Sequence, residues 1–182
     1  MNKILRWSLI VLGGLVVLLF IAFKVMQSQT KKASPERNVA IAQDSREINV
    51  FYNSPSKRGR EIFGALVPYG KVWRTGANEA TTFTTSAALR IGGKELPAGT
   101  YTLWTIPGES SWTVIFNSKS YPWGVNMKSE AAREAEFDVL QAEAPVEPLA
   151  EPVEMFDITF DNSSGLAMVM TWDKVRVRLP IE

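Results

Sequence analysis

The chain has 182 residues, no cysteine, no histidine and a formal net charge of +1. These absences exclude a cysteine or histidine nucleophile, a Ser-His-Asp triad and haem ligation by either residue, and they argue against a zinc site. Residues 46–182 carry 14 basic and 17 acidic side chains, so the folded part is mildly acidic and nucleic-acid binding is disfavoured.

An apolar run at residues 4–23 predicts a membrane-spanning helix, because twenty helical residues span about 30 Å, the thickness of a bilayer core. The residues directly after the run lack the small side chains of a signal-peptide cleavage site. We therefore predict a transmembrane anchor at residues 1–24 rather than a cleaved signal peptide. The usual single-anchor arrangement places the rest of the chain outside the cytoplasm, in the periplasm or the extracellular space. The polar residues 25–45 predict a flexible linker.

From residue 46 onward, short runs of alternating or β-branched residues are separated by turn signals about every ten residues. Gly92-Gly93 predicts a two-residue hairpin, residues 129–137 a short helix, and the proline- and glutamate-rich residues 145–154 a loop. About eight to nine strands predict an all-β domain over residues 46–182, an antiparallel β-sandwich or jelly roll. The predicted core includes Tyr101, Leu103, Val114, Phe116, Met168 and Val177.

Three segments together resemble a known family. They are the region from Tyr52 to Arg60, the sequence W-R-T-G-A-N-E at residues 73–79, and L-P-A-G-T-Y at residues 96–101. Over roughly residues 46–181 the chain is similar to the bacterial domain-of-unknown-function family 2911. The resemblance implies an exported or membrane-anchored bacterial protein, and it brings no activity with it. The family pattern reads Lys-Gly-Arg where this chain has Arg58 inserted before Gly59.

Residues 67–86 hold the densest mixture of turn residues, aromatics, charges and hydroxyls, and they predict a ligand site. Arginines can hold a carboxylate, phosphate or sulfate, while an aromatic ring, an amide and a carboxylate suit a sugar. We therefore expect a small anionic or saccharide ligand and no cofactor or metal. The candidate residues are Tyr52, Arg60, Trp73, Arg74, Asn78 and Glu79, with Lys57 and Lys71 as outer members.

The same loop allows a purely structural interpretation. Arg74 and Glu79 flank a tight reversal, so they can form an ion pair that fastens the loop, with Trp73 in the core. The function predicted from sequence is a membrane-anchored ligand-binding or cell-envelope scaffold protein. One alternative is a hydrolase acting on a saccharide or ester with Glu79 as acid/base, although no partner carboxylate can be chosen from sequence. The other alternative is a structural envelope protein.

Overall fold

The computed structural model describes residues 2–182, so the first residue of the predicted anchor lies outside the described part. The chain divides into two compact units, Met1–Ala33 and Ser34–Glu182. Within the first unit lies one long helix, α1 (Lys3–Ala33), and the side chains of residues 5–23 are exposed. By its length and composition this helix is apolar enough to cross a membrane.

The second unit is built of β-strands, which supports the all-β prediction. The strands are β1 (Glu36–Gln43), β2 (Arg46–Asn53), β3 (Thr82–Thr85), β4 (Leu89–Ile91), β5 (Lys94–Leu96), β6 (Gly99–Pro107), β7 (Ser111–Asn117), β8 (Asp138–Asp161) and β9 (Ala167–Pro180), with a short 3-10 helix at Ala135–Phe137. Seven of them form one antiparallel sheet in the order β1-β2-β3-β6-β7-β8-β9. The remaining two, β4 and β5, pair as the hairpin that Gly92-Gly93 predicts.

The sheet curls strongly, so that the chain just after β2 reaches the far half of β8. Lys57 N donates to Glu154 O at 2.7 Å, and Phe156 N donates to Pro55 O at 2.9 Å. The first half of β8 pairs with β7 and the second half with β9, so this strand changes partner along its length. The curl gives the sheet an inner face, which holds the core, and an outer face.

The inner face is filled with apolar and aromatic side chains, and all six residues predicted for the core are buried there. Phe116 packs its ring edge-on against Phe83 and Tyr101, with centroids 5.1 and 6.3 Å apart. A second group of rings, Phe63, Trp73, Trp112, Phe156 and Trp172, meets at mutual centroid distances of 5.0 to 6.4 Å. Such offset and edge-on contacts add to the stabilisation from area burial.

Residues 25–45 differ from the predicted flexible linker. Helix α1 continues through Ala33, and β1 pairs along its whole length with β2. Asp44 and Ser45 reverse the chain with φ of 51° and 65°, the positive values that a tight type I′ hairpin requires. Val39 and Ile41 pack against the core, which gives β1 an apolar stripe.

Two further predictions are wrong. The predicted helix at residues 129–137 is reduced to the 3-10 turn Ala135–Phe137, because this short, polar segment buries no apolar face. The predicted proline loop at residues 145–154 lies within β8, and its pairing with β9 shifts register on both sides of Val153. Proline cannot donate to a ladder, so strands tolerate it at such irregular places.

Candidate functional site

The candidate site is the 74–79 loop, meaning residues 74–79, which leads from an isolated bridge toward β3. Just before it, Trp73 exchanges two backbone hydrogen bonds with Thr105 on β6, at 2.7 and 3.0 Å. Within the loop, Thr75 and Asn78 both have φ of 54°, and Gly76 has φ of 149°. A positive φ is a real outlier for a β-branched residue such as Thr75, so the surroundings must hold the loop in this path.

Backbone contacts press the loop against the end of β2. A Cβ atom at Gly76 would lie 2.8 Å from Asn53 O and 3.2 Å from Thr81 Oγ1, so only glycine fits there. Ala77 N donates to Asn53 O at 3.2 Å, and Thr81 Oγ1 donates to Thr75 O at 2.8 Å. The close approach of loop and strand explains why the sequence needs a glycine at position 76.

The amide of Asn53 organises the polar side chains of the loop. Asn53 Nδ2 donates to Glu79 Oε2 at 3.1 Å, and Asn53 Oδ1 accepts from Asn78 Nδ2 at 3.5 Å. Asn53 is fully buried and Asn78 is 7 % exposed, whereas Glu79 is half-buried. One buried amide therefore orients both the amide of Asn78 and the carboxylate of Glu79.

Arg74 lies half-buried on the same loop and bonds to a different group. Its Nε donates to Gly76 O at 3.3 Å, and burial lowers the pKa of its guanidinium below the ordinary value. Its aliphatic stem packs on Gly124, where an added Cβ would lie 2.4 Å from Arg74 Cδ. Gly124 N in turn donates to Asn78 O at 3.0 Å. Arg74 is thus enclosed between its own loop and a second segment.

That second segment, residues 118–134, is called the cover here, and polar bonds tie it to the outer face of the sheet. Thr102 Oγ1 donates to Lys119 O at 2.6 Å, and Asn117 Nδ2 donates to Glu134 O at 2.8 Å. Arg133 also forms an ion pair with Asp138 at the start of β8. Burial raises the pKa of Asp138, but hydrogen bonds from Arg133 and Asn117 outweigh it and hold that pKa below its ordinary value.

Two of the six candidate residues point into the core. Tyr52 is fully buried, and its hydroxyl donates to Asp157 Oδ1 at 2.7 Å and accepts from Ile158 N at 3.0 Å. Trp73 stacks on Trp172, with ring centroids 5.9 Å apart and planes 16° from parallel. Both side chains are therefore placed to support the fold, and a role for either in ligand binding stays a prediction.

Arg60 and the two lysines lie apart from the 74–79 loop. Arg60 is exposed, and its guanidinium binds carbonyl oxygens of its own turn, with Nε 3.0 Å from Lys57 O. Lys57 forms an ion pair with Asp173 on β9, and Lys71 is exposed. The structure thus brings together Arg74, Asn78 and Glu79 and leaves the other predicted members elsewhere.

Two residues of this neighbourhood escaped the sequence analysis. Asn53 had the pattern of a turn residue that closes a strand, and nothing in its local sequence indicated that its amide would meet residues 25 positions later. Gly124 lies in a proline-containing loop, and its local sequence gives no indication of a contact with Arg74. Both become visible only through the long-range contacts of the sheet.

The predicted hydrolase alternative rests on Glu79, whose carboxylate accepts a hydrogen bond from Asn53. That contact orients the carboxylate and assigns it no acid/base role, so the alternative stays a prediction. Within residues 2–182, no group of three or more histidines, cysteines, aspartates or glutamates is arranged to hold a metal ion.

A family model described as "Protein of unknown function (DUF2911)" matches residues 34–181 of the chain. The match begins before β1, where the second compact unit also begins, and ends one residue short of the last residue. Neither the curated proteins nor the solved structures gave a significant match.

Proposed function

We propose that this chain, which belongs to the family of proteins of unknown function DUF2911, is a membrane-anchored protein whose β-domain binds a small polar ligand at the 74–79 loop. The observation that carries the proposal is the backbone of Thr75, a fully buried, β-branched residue with φ of 54°. Holding a residue in so sparsely populated a conformation costs about 1–3 kcal/mol, and such strain clusters at ligand-binding and active sites.

The side chains around Thr75 supply what a polar ligand needs. Arg74 provides a cation and Asn78 an amide with both a donor and an acceptor, while the Glu79 carboxylate is held by Asn53. Their orientations are set by Asn53 and Gly76, which are buried, so the groups are held in place before a ligand arrives. Preorganised polar groups on a rigid scaffold lower the entropic cost of binding.

Anchoring is the second part of the proposal. Helix α1 is apolar enough to cross a membrane, and the residues after its apolar run do not suit a cleavage site. We propose that it stays attached and that the β-domain lies outside the cytoplasm. Full-length protein should then remain with membranes after a carbonate wash. Protease should digest the β-domain when it is added to cells whose cytoplasmic membrane is intact and whose outer layer lets the protease through. Release of a shortened soluble chain, or protection of the domain in intact cells, would contradict this part.

Ligand binding is tested with two matched arginine variants of the full-length protein in detergent. The probes are acetate, inorganic phosphate, glucose and N-acetylglucosamine, each titrated by calorimetry. Arg74→Gln should weaken binding of whichever probe the wild-type protein binds. Arg60→Gln should leave it unchanged, because Arg60 binds only its own turn in the structure. Equal binding by wild-type protein and Arg74→Gln would refute the proposed site.

A further inference from the structure

The register of the Trp73–Thr105 bridge fixes where the next residues on each segment lie. Because the bridge is antiparallel, Arg74, which follows Trp73, lies on the same side of the bridge as Trp104, which precedes Thr105. Opposed residues of an antiparallel pair project from the same face, with Cβ atoms about 5 Å apart. Trp73 packs against the core. Arg74 follows Trp73 in its segment, and Trp104 precedes Thr105 in β6, so both side chains project from the opposite, outer face, under the cover.

Trp104 carries an unusual feature for a fully buried side chain. It is 0 % exposed, and its ring meets Tyr121 of the cover edge-on, with centroids 5.3 Å apart. Its indole Nε1 is sealed from solvent and has no hydrogen-bond acceptor among residues 2–182. A buried donor without an acceptor costs free energy, so native proteins rarely keep one without a reason.

Arg74 adds a second donor group at the neighbouring position. Among the described residues its one hydrogen bond is from Nε to Gly76 O, and no carboxylate lies within ion-pair distance of it. Burial already lowers the pKa of this guanidinium, so its charge is poorly solvated. A half-buried cation and an N–H without a protein acceptor in the described part of the chain therefore lie at neighbouring positions under the cover.

We infer that the ligand of this site is an oxyanion, a carboxylate or a phosphate group, bound jointly by the Arg74 guanidinium and the Trp104 indole N–H beneath the cover. This inference rests on the proposed function and specifies its ligand class. Arginine suits such groups because its planar donors match two oxygens at once.

Access to Trp104 requires the cover to move, and the tip of the cover is loosely packed. Residues 126–130 at its tip are exposed, and Met127 has no side-chain burial at all. Segments with few buried apolar contacts open at low free-energy cost. Tyr121 contacts Trp104 and Gly124 contacts Arg74, so we expect a displacement of this part of the cover to expose both donors.

The test compares two tryptophan variants of the full-length protein in detergent, using acetate and inorganic phosphate as probes and glucose as the neutral control. Trp104→Phe keeps an aromatic ring and deletes the unpaired N–H. It should weaken anion binding about tenfold, the loss expected for one hydrogen bond to a charged group. Because the fully buried indole is larger than the phenyl ring, the variant should also melt at a lower temperature. Trp172→Phe deletes an N–H that donates to Glu154 O at 3.2 Å. This control should melt at a lower temperature and keep the wild-type anion affinity.

The outcomes separate the two proposals. If Trp104→Phe binds the anion as tightly as the wild-type protein does, Trp104 is not part of the site and the inference is overturned. Binding of glucose without binding of acetate or phosphate also overturns it, while the proposed ligand-binding function stands. If neither acetate nor phosphate binds to the wild-type protein, the inference fails, and if glucose and N-acetylglucosamine also fail to bind, the proposed function fails with it. Should Trp104→Phe not fold, Arg74→Lys replaces it as the variant, because it keeps the charge and loses the planar pair of donors, and the same tenfold loss is expected.

Discussion

Replacing Tyr52 by phenylalanine should weaken the contact that holds β2 against the far half of β8. The hydroxyl of Tyr52 joins two groups of β8, because it donates to the Asp157 carboxylate at 2.7 Å and accepts from Ile158 N at 3.0 Å. This cross-sheet bond lies beside the backbone contacts that close the curl. The variant keeps the ring and its edge-on contact with Phe156, so it removes the hydroxyl alone.

The size of the effect follows from the two partners. Ile158 is fully buried, so its N–H would lose its acceptor with no water to replace it, at a cost of about 1–3 kcal/mol. Asp157 is exposed and can bond to water instead, so it adds little. We expect a loss of about 2 kcal/mol in the free energy of unfolding. For a domain of this size that lowers the melting temperature by about 4–8 °C.

Thermal and urea unfolding of the wild type, Tyr52→Phe and the control Tyr69→Phe measure the difference. Tyr69 is 40 % exposed, so the control should stay within about 0.5 kcal/mol of the wild type. Burial, aided by the Asp157 carboxylate, raises the pKa of Tyr52 above its ordinary 10.0. A raised pKa in the folded state means that the stability this group provides is present below pH 10 and is lost as the pH rises further. The gap between wild type and variant should therefore narrow above pH 10. A Tyr52→Phe protein as stable as the control would refute the reasoning.

Three further changes test other parts of the structure. A soluble chain beginning at Ser34 should fold, whereas one beginning at Arg46 lacks β1 and should unfold at a lower urea concentration or aggregate. Equal stability of the two chains in a urea titration would contradict the role of β1. Phe116→Ala should cost about 3–5 kcal/mol, because the ring is 0 % exposed, and a loss under about 1 kcal/mol would place it outside the core. Gly124→Ala should cost about 1–3 kcal/mol by forcing the cover away from Arg74, and unchanged proteolysis of the cover would argue against that contact.

Local signals predicted the parts of the fold that local sequence determines. Gly92-Gly93 both have positive φ in the hairpin they were expected to form, at 58° and 74°. Alternating residues in β6, β7 and β9 placed the predicted core side chains on the inner face. In these strands the inward-facing apolar residues alternate with residues that are polar or face outward. The period of two can therefore be recognised in the sequence without knowing the partner strand.

The missed elements depend on partners far along the chain. Strand β1 has the weak alternation of Val39 and Ile41 between alanines and polar residues, and it becomes a strand because β2 offers eight pairing positions. Tertiary pairing overrides weak local propensity in this way. In β8, the proline pattern is that of a loop, yet antiparallel partners on both halves of the strand impose an extended path with two register shifts.

The candidate site divides in the same manner. The sequence W-R-T-G-A-N-E directed the site prediction to the 74–79 loop, since its turn residues and charges are local features. It could not show that Tyr52 and Trp73 face the core, because that depends on the phase of β2 and on the bridge to Thr105. Nor could it place Arg74 near Trp104, because these residues are 30 positions apart and the bridge between Trp73 and Thr105 brings their segments together.

The two charged residues of the loop bond to different groups. Glu79 accepts from Asn53, whose backbone also receives the loop at Ala77, so this carboxylate belongs to the set of contacts that fasten the loop to β2. Arg74 bonds within its own loop and lies under Gly124, away from those contacts. A loop that is fastened on the β2 side can keep a strained backbone while its other side meets a movable segment. The fastening interpretation therefore fits Asn53 and Glu79, and the ligand-binding interpretation fits Arg74, so the two are complementary within one short loop.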